Sequence, residues 1–417
     1  MAFDDDLLSS IRDRFHHVDR CPVQGPRAFF ENAGGSLTLK AAVERTAELM
    51  AMPDNLGRAN PASAALGAIV ETARADMFTF FGATSGRVFI GETGTALLNR
   101  LIRSAILASP GSEVVGSALE HPATFSACRR WSEVASKTYH QVGFDTTSSV
   151  VVADHYAPVL SERTGVATII HASPVTGMHV DIAAIASQIR ERSPECFIIV
   201  DGIQHAAHGR IDIDTYGIDG YVISGYKAFS RHNFGVAWVS ERLAHVPHDN
   251  LIDSPADVWE MGTRDVSAYA AFSEVVRYLE WLGTQTGESA DASSRAKLEA
   301  AARAIASQEH HLVDAMLWGT GSHDGLAQMP GVSVIGPASS EHRSGMVSFE
   351  VDAMSAFDVV EALNAAGVRT HARKRDYYSS SVLVPLGIDS CIRASAAHYN
   401  SIAEVDKLLA VVADLAG

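Results

Sequence analysis

Among the side chains that could do covalent or acid–base chemistry, Lys227 has the most unusual setting. The chain has six lysines: Lys40, Lys137, Lys227, Lys297, Lys374 and Lys407. Five fall in polar or helical surface contexts. Lys227 instead closes the apolar run Tyr221-Val-Ile-Ser-Gly-Tyr-Lys227. An amine at a buried strand end is partly out of water, which lowers its pKa and favours imine formation. A snorkelling lysine would give the same local pattern. A second apolar run, Phe197-Ile-Ile-Val-Asp201, ends in a carboxylate. A buried Asp is costly without a partner. An acid that pairs with a protonated ring nitrogen is what an electron-sink cofactor requires, while capping of the next loop is the plainer use.

Three further segments carry candidate groups. Gly91-Glu-Thr-Gly-Thr95 lies between a strand and an apolar helix. Its glycines permit close backbone approach, and the helix start offers free amides to a phosphate, although an ordinary turn reads the same way. The loop is neither a Walker loop nor GxGxxG. His121 follows another strand and could stack on an aromatic ligand or move protons; a helix-start histidine is the bland alternative. Arg393, in Cys391-Ile-Arg393-Ala-Ser395, could grip a carboxylate with two parallel bonds, or serve an internal salt bridge. A reading from another class is a metal-dependent hydrolase using Asp201, His205 and His208, with His121 as a third nitrogen ligand. No HExxH, CxxC or GxSxG supports hydrolase chemistry.

The elements that must position these groups alternate. Val88–Ile90, Glu113–Ser117, Thr168–His171, Phe197–Asp201, Tyr221–Ser224 and Val236–Val239 read as strands. Thr93–Leu107 and Ile182–Arg192 read as amphipathic helices between them, and Ser63 as the cap of an earlier one. Strands apolar throughout and separated by helices predict an α/β fold with a largely parallel sheet covered on both faces. Gly235 suggests a tight return into an antiparallel strand. Residues 266–318 are helical. Val332–Ile335, Met346–Val351 and Val368–His371 read as strands around a helix at Ala356–Ala366, closed by Ile402–Leu415. The expected division is an N-terminal arm over 1–25, a large domain over 26–265, connecting helices over 266–318 and a smaller α+β domain over 319–417.

Composition sets the outer bounds. Of 417 residues, 47% are hydrophobic and 20% charged, an ordinary globular balance. A net charge of −16 argues against nucleic acid or an anionic membrane as partner. No signal peptide or spanning run is evident. The four scattered cysteines read as reduced thiols, so a cytoplasmic location is expected.

Taken together, the segments resemble the class V aminotransferase family of fold type I pyridoxal 5′-phosphate (PLP) enzymes, in its cysteine-desulfurase-like branch. The resemblance rests on Val200-Asp201-Gly-Ile-Gln204-His-Ala-Ala-His208, Ser224-Gly-Tyr-Lys227-Ala-Phe, Trp259-Glu-Met-Gly262-Thr263 and Ile392-Arg393-Ala-Ser-Ala-Ala-His398. It implies a seven-stranded, mainly parallel sheet in the large domain. It implies that Lys227 holds the cofactor as a Schiff base and shuttles the α-proton through a quinonoid. Asp201 would pair with the pyridine nitrogen, Gln204 would bond the ring hydroxyl side and His121 would stack on the ring. Thr93, Gly94, Thr95 and Ser224 would cup the phosphate. Thr263 would reach the phosphate of a neighbouring subunit, implying a homodimer. Arg393 would bind the substrate carboxylate, with Asn32 and Gly34 lining the substrate side. No metal is implied.

Two departures qualify the chemistry. The loop Arg369–Tyr378 lacks the cysteine that desulfurases use against substrate sulfur, and offers Arg373, Arg375, Asp376 and Tyr377 instead. An arginine there, Arg375 among them, could bind a second carboxylate or another anionic substrate group, while a solvated charged loop is the plainer reading. Ser173-Pro174 stands where the family commonly has an asparagine. A small amino acid is the expected substrate, by transamination or C–S/β-lyase chemistry. Epimerisation and a non-catalytic PLP-binding role are the alternatives.

Overall fold

The computed structural model describes residues 3–206, 208–352 and 354–417. Residues 1 and 2 of the expected N-terminal arm lie outside the described residues. The rest of the arm starts with a helix at Asp5–Arg12, whose first turn is capped by the Asp4 carboxylate on the Leu7 amide.

Seven strands form the central sheet: β1 (Arg87–Gly91), β2 (Glu113–Ser117), β3 (Thr138–Val142), β4 (Thr164–Ile170), β5 (Phe197–Asp201), β6 (Gly220–Ser224) and β7 (Gly235–Val239). Their order across the sheet is β1-β7-β6-β5-β4-β2-β3. Only β7 runs against the others, pairing antiparallel with both β1 and β6. Most residues of these strands are fully buried, because helices cover both faces. Leu97, Leu101 and Ile102 of the helix Gly94–Ala108 pack on Val114, Val166, Ile199 and Val222 from one side. A larger cluster around Ile169, Val200 and Ile223 fills the other.

A second sheet orders β8 (Val332–Ile335), β9 (Met346–Val351), β11 (Ser390–Ser395) and β10 (His371–Lys374), antiparallel throughout. Its apolar face packs on the helices Ser294–Trp318, Ala356–Ala365 and Ile402–Ala416.

Several sequence expectations are corrected. The polar-mixed segment Thr138–Val142 is a strand after all: it sits at the sheet edge, where only β2 pairs with it and half its side chains face water. β4 begins at Thr164 and ends before His171. Val368–His371 is two strands. Val368–Arg369 pairs with Ala28–Phe29, and the chain then switches at Thr370 into β10. Ser63 is not a cap. The helix Pro61–Phe81 begins with Pro61, which has no amide hydrogen to satisfy, so Asn60 caps it by accepting from the Ser63 amide at 2.7 Å.

Because six strands share one direction, their C-terminal ends lie on one edge of the sheet. Gly91, Ser117, Ile170, Asp201 and Ser224 therefore open toward the same place. Gly235 lets this edge close tightly. A Cβ there would lie 2.6 Å from the Gly94 amide nitrogen and 2.9 Å from the Ile223 carbonyl oxygen. Gly67, in a helix, has nothing within 4 Å of the same atom. Gly235→Ala should therefore cost about 1–3 kcal/mol by overpacking, whereas Gly67→Ala should gain about 0.5–1 kcal/mol. Denaturant melts of the two variants should move in opposite directions.

Candidate active site

A cleft of about 330 Å³ opens on this edge, within the range of small-ligand sites. Each wall comes from the segment just past a strand end. Thr93, Gly94 and Thr95 follow β1, and His121 follows β2. Ile170, Ala172 and Pro174 continue β4, Asp201 to Gln204 continue β5, and Ser224, Tyr226 and Lys227 close β6. Lys227 and Asp201 thus line one cavity, delivered by neighbouring strands.

Lys227 sits on a short 3-10 turn, Gly225–Lys227. Its Nζ donates to Gln204 Oε1 at 2.9 Å. Burial lowers its pKa to about 7; Arg393 and Arg373 push the same way, and Asp201 opposes them. An amine so placed is substantially neutral at physiological pH and able to act as base or nucleophile. Asp201 is 3% exposed, and burial raises its pKa. Its Oδ1 accepts from the Ile203 amide at 3.1 Å and its Oδ2 from Thr124 Oγ1 at 3.1 Å. These bonds and Lys227 favour the charged form. Each carboxylate oxygen has a lone pair left for a further donor.

His121 caps the helix Pro122–Val134, its Nδ1 accepting from the Ala123 amide at 3.2 Å. Burial, Lys227 and Arg373 lower its pKa to about 4, so it is neutral in ordinary buffers. Its ring lies 6.1 Å from that of Tyr378, on the loop after β10. At the other end, Thr93 caps the helix Gly94–Ala108 by accepting from the Ala96 amide at 3.0 Å. The first amides of a helix lack intrahelical partners, and Gly94 and Thr95 bring theirs to the cleft wall. Any Cβ on Gly94 would collide with Ser224 Oγ, so glycine lets the hydroxyl and the helix start converge.

Arg393 stands on β11, 3% exposed, with Nη1 donating to the Pro174 carbonyl at 2.9 Å. Gly34 is its neighbour: a Cβ there would lie 3.7 Å from Arg393 Nη2.

Two expected residues are engaged elsewhere. Asn32 is spent on structure. Its amide donates to the Ser395 carbonyl at 2.8 Å and its oxygen accepts from Tyr399, so it has no free group for a substrate. Arg375 is exposed and pairs with Asp389 at 2.8 Å, because the chain turns away after β10. Thr263, expected to serve a neighbouring subunit, lies on an exposed loop outside the walls of this chain's own cleft. Next to it, Arg264 pairs with Glu92 at 2.6 Å, which ties that loop to the Gly91–Thr95 segment. The metal reading loses its ligands. His205 stacks on His171 at 3.5 Å, and His208 Nδ1 meets Glu309 Oε2 at 2.7 Å. Among the described residues, no group of three or more His, Cys, Asp or Glu could hold a metal.

Thr124 and Tyr226 were missed as site residues. Thr124 lies one helical turn beyond His121, and no pattern marked its hydroxyl as the partner of Asp201. Tyr226 was hidden inside the lysine segment. Also missed was Glu120, a buried carboxyl near Asp201 whose pKa burial raises far above the usual range.

The reactivity of Lys227 should follow its lowered pKa. Labelling by an amine-reactive reagent, read by peptide mass spectrometry, should rise about tenfold per pH unit below about 7 and level off above it. Arg393→Met should move that midpoint upward, since it removes a repelling charge.

Comparison with known proteins follows the same lines. The chain is 24% identical to a probable cysteine desulfurase of Mycolicibacterium paratuberculosis over 98% of its own length and 58% of that protein's. It is 24% identical to the aminotransferase-like protein FGM3 of Gibberella zeae, over 96% of each. Its fold superposes on the cysteine desulfurase of Thermococcus onnurineus NA1 with a TM-score of 0.81 at 20% identity, covering 100% of this chain and 99% of that one. No helix of the described residues is long and apolar enough to cross a membrane. The family model for class-V aminotransferases matches residues 28–316 and 296–408. The chain therefore belongs to the class-V aminotransferase family of PLP-dependent enzymes.

Proposed function

We propose that this protein binds PLP in the cleft and acts at the Cα of a small amino acid, by transamination or C–S/β-lyase chemistry. The observation that carries this is the pair at the cleft floor: a buried amine of lowered pKa on Lys227 and a buried carboxylate on Asp201, delivered by adjacent strands.

The residues present fit the cofactor. Helix-start amides at Gly94 and Thr95, with Thr93 and Ser224, suit a phosphate. Asp201 keeps an open lone pair for a ring-nitrogen proton. The neutral His121 ring suits the face of an aromatic ring. When bound, the cofactor supplies an electron sink for charge left at the substrate Cα. The chain supplies the rest. Lys227 Nζ anchors the aldehyde end and carries the proton to and from Cα. Asp201 holds the proton at the ring nitrogen, Gln204 orients the lysine, and Arg393 grips the α-carboxylate.

Two observations narrow the reaction. The segment Arg369–Tyr378, which includes β10, holds no cysteine. Cys391, on the neighbouring strand, is fully buried and its pKa is pushed up to about 12, so it is a poor thiolate for persulfide chemistry. Epimerisation by two bases would need a second proton carrier. Of the other titratable groups lining the cleft, His121 is driven down to about 4 and Tyr226 is driven up. Lys227, whose pKa is lowered to about 7, is the group best matched to carrying that proton. The loop around Thr263 also presents Ile252 and Leu251, 93% and 60% exposed, as an apolar surface suited to a second copy of the chain. A homodimer in which Thr263 meets the partner's phosphate end fits this exposure.

The purified protein should gain a visible absorbance band with PLP, and Lys227→Ala should abolish that band and slow turnover by about 10²–10⁴-fold. Keto acid formed only when an acceptor keto acid is present would mean transamination, and keto acid formed without one would mean elimination. Absence of the band, or its survival in Lys227→Ala, would refute the assignment. Analytical ultracentrifugation should give twice the chain mass.

A further inference from the structure

The charge on the substrate side of the cleft is unbalanced. β10 and β11 pair antiparallel with His371 opposite Arg393 and Arg373 opposite Cys391. Opposed residues share a sheet face, so Arg373 and Arg393 stand on the same face as diagonal neighbours, whose spacing is about 7–8 Å. Arg393 Nη1 reaches the carbonyl of Pro174, a residue of the cleft wall, and Arg373 stands beside Arg393 on the same sheet face, its charge felt at Lys227, His121 and Arg393.

Other buried arginines show how this chain accommodates a buried guanidinium that serves structure. Arg343 donates from all three nitrogens to the carbonyls of Pro337, Thr176 and Ile335. Arg27 donates to the carbonyls of Val18 and His17. Among the described residues, Arg393 has only the Pro174 carbonyl, and its Nε is buried without a partner. Arg373 Nε is likewise buried and unpartnered. Among the described residues, neither has a carboxylate within ion-pairing distance. Glu31, the nearest carboxylate acting on Arg393, already takes a hydrogen bond from Arg369 at 3.0 Å. Asp376, beside Arg373, accepts from the Tyr378 amide at 2.9 Å. Two neighbouring cations, one buried and one half-buried, with no direct ion pair and only the more distant charges of Glu31 and Asp376 to offset them, are costly. A ligand with two anionic groups would relieve both.

We infer that Arg373 is a specificity-determining residue and that the substrate is an amino dicarboxylic acid of the aspartate or glutamate type, its α-carboxylate on Arg393 and its side-chain carboxylate on Arg373. This rests on the reading of the cleft as the amino-acid site. It accounts for the charged loop in place of a nucleophilic cysteine: the position serves recognition.

A test that needs no cofactor separates the two readings. Calorimetric titration of the purified protein compares succinate with butyrate, which has the same carbon count and one carboxylate. Succinate should bind at least about tenfold tighter. Arg373→Gln should remove that preference and leave butyrate binding within about twofold. Arg373→Lys, which keeps the charge and guards against a folding defect, should retain part of it. On the PLP-loaded protein, L-aspartate or L-glutamate should perturb the visible band at lower concentration than L-alanine, and Arg373→Gln should raise KM for the dicarboxylate by a larger factor than for L-alanine. Equal affinity for succinate and butyrate, or equal losses for both in Arg373→Gln, would overturn the inference. Failure of the visible band would instead strike the PLP reading.

Discussion

A buried amine and a buried carboxylate face one cleft, and neither is stable there alone. Asp201 holds the Lys227 pKa up, Lys227 holds the Asp201 pKa down, and burial pushes both toward neutrality. Arg393 and Arg373 then tip the balance against a charged lysine, leaving it near 7. This arrangement needs strand ends that converge. The shared direction of six strands provides that, and the single antiparallel strand β7 closes the edge between β1 and β6. Glycine at 94 and at 235 permits the approach, since a side chain at either would meet backbone or the Ser224 hydroxyl.

The second sheet contributes charge more than shape. Its antiparallel register brings Arg373 and Arg393 onto one face, and the Pro174 carbonyl ties that face to the loop after β4. The cleft is consequently cationic in a chain whose net charge is −16. Glu120, near Asp201, is fully buried, and burial raises its pKa well above the usual carboxylate range. Such a local field of opposite sign would draw an anionic cofactor and an anionic substrate into a protein whose outer surface repels them.

Much of the site was legible in the chain because its residues end runs. Lys227, Asp201 and Thr93 to Thr95 each follow an apolar strand, and an apolar run closed by one polar residue is visible without coordinates. β3 was not legible: an edge strand half in water need not be apolar, and Thr138–Val142 is not. Ser63 was mistaken for a cap because Asn60 and Ser63 share the chemistry, and only the start of the helix tells them apart.

The sequence alone determined which chemistries the chain carries: a lone lysine at a strand end, a carboxylate at the next, a glycine-bearing helix start and an arginine in an apolar run. These are local properties of composition and period. Tertiary structure decided which polar groups remain free. Asn32 and Arg375 had suitable side chains, but contacts distant in sequence for Asn32 and the turn of the chain for Arg375 engaged them with Ser395, Tyr399 and Asp389. Thr124 became the partner of Asp201 because helix packing aimed it inward, and strand register set Arg373 beside Arg393. A hydrogen bond or ion pair is satisfied by whatever lies within about 3 Å, and that proximity is created only when the chain folds.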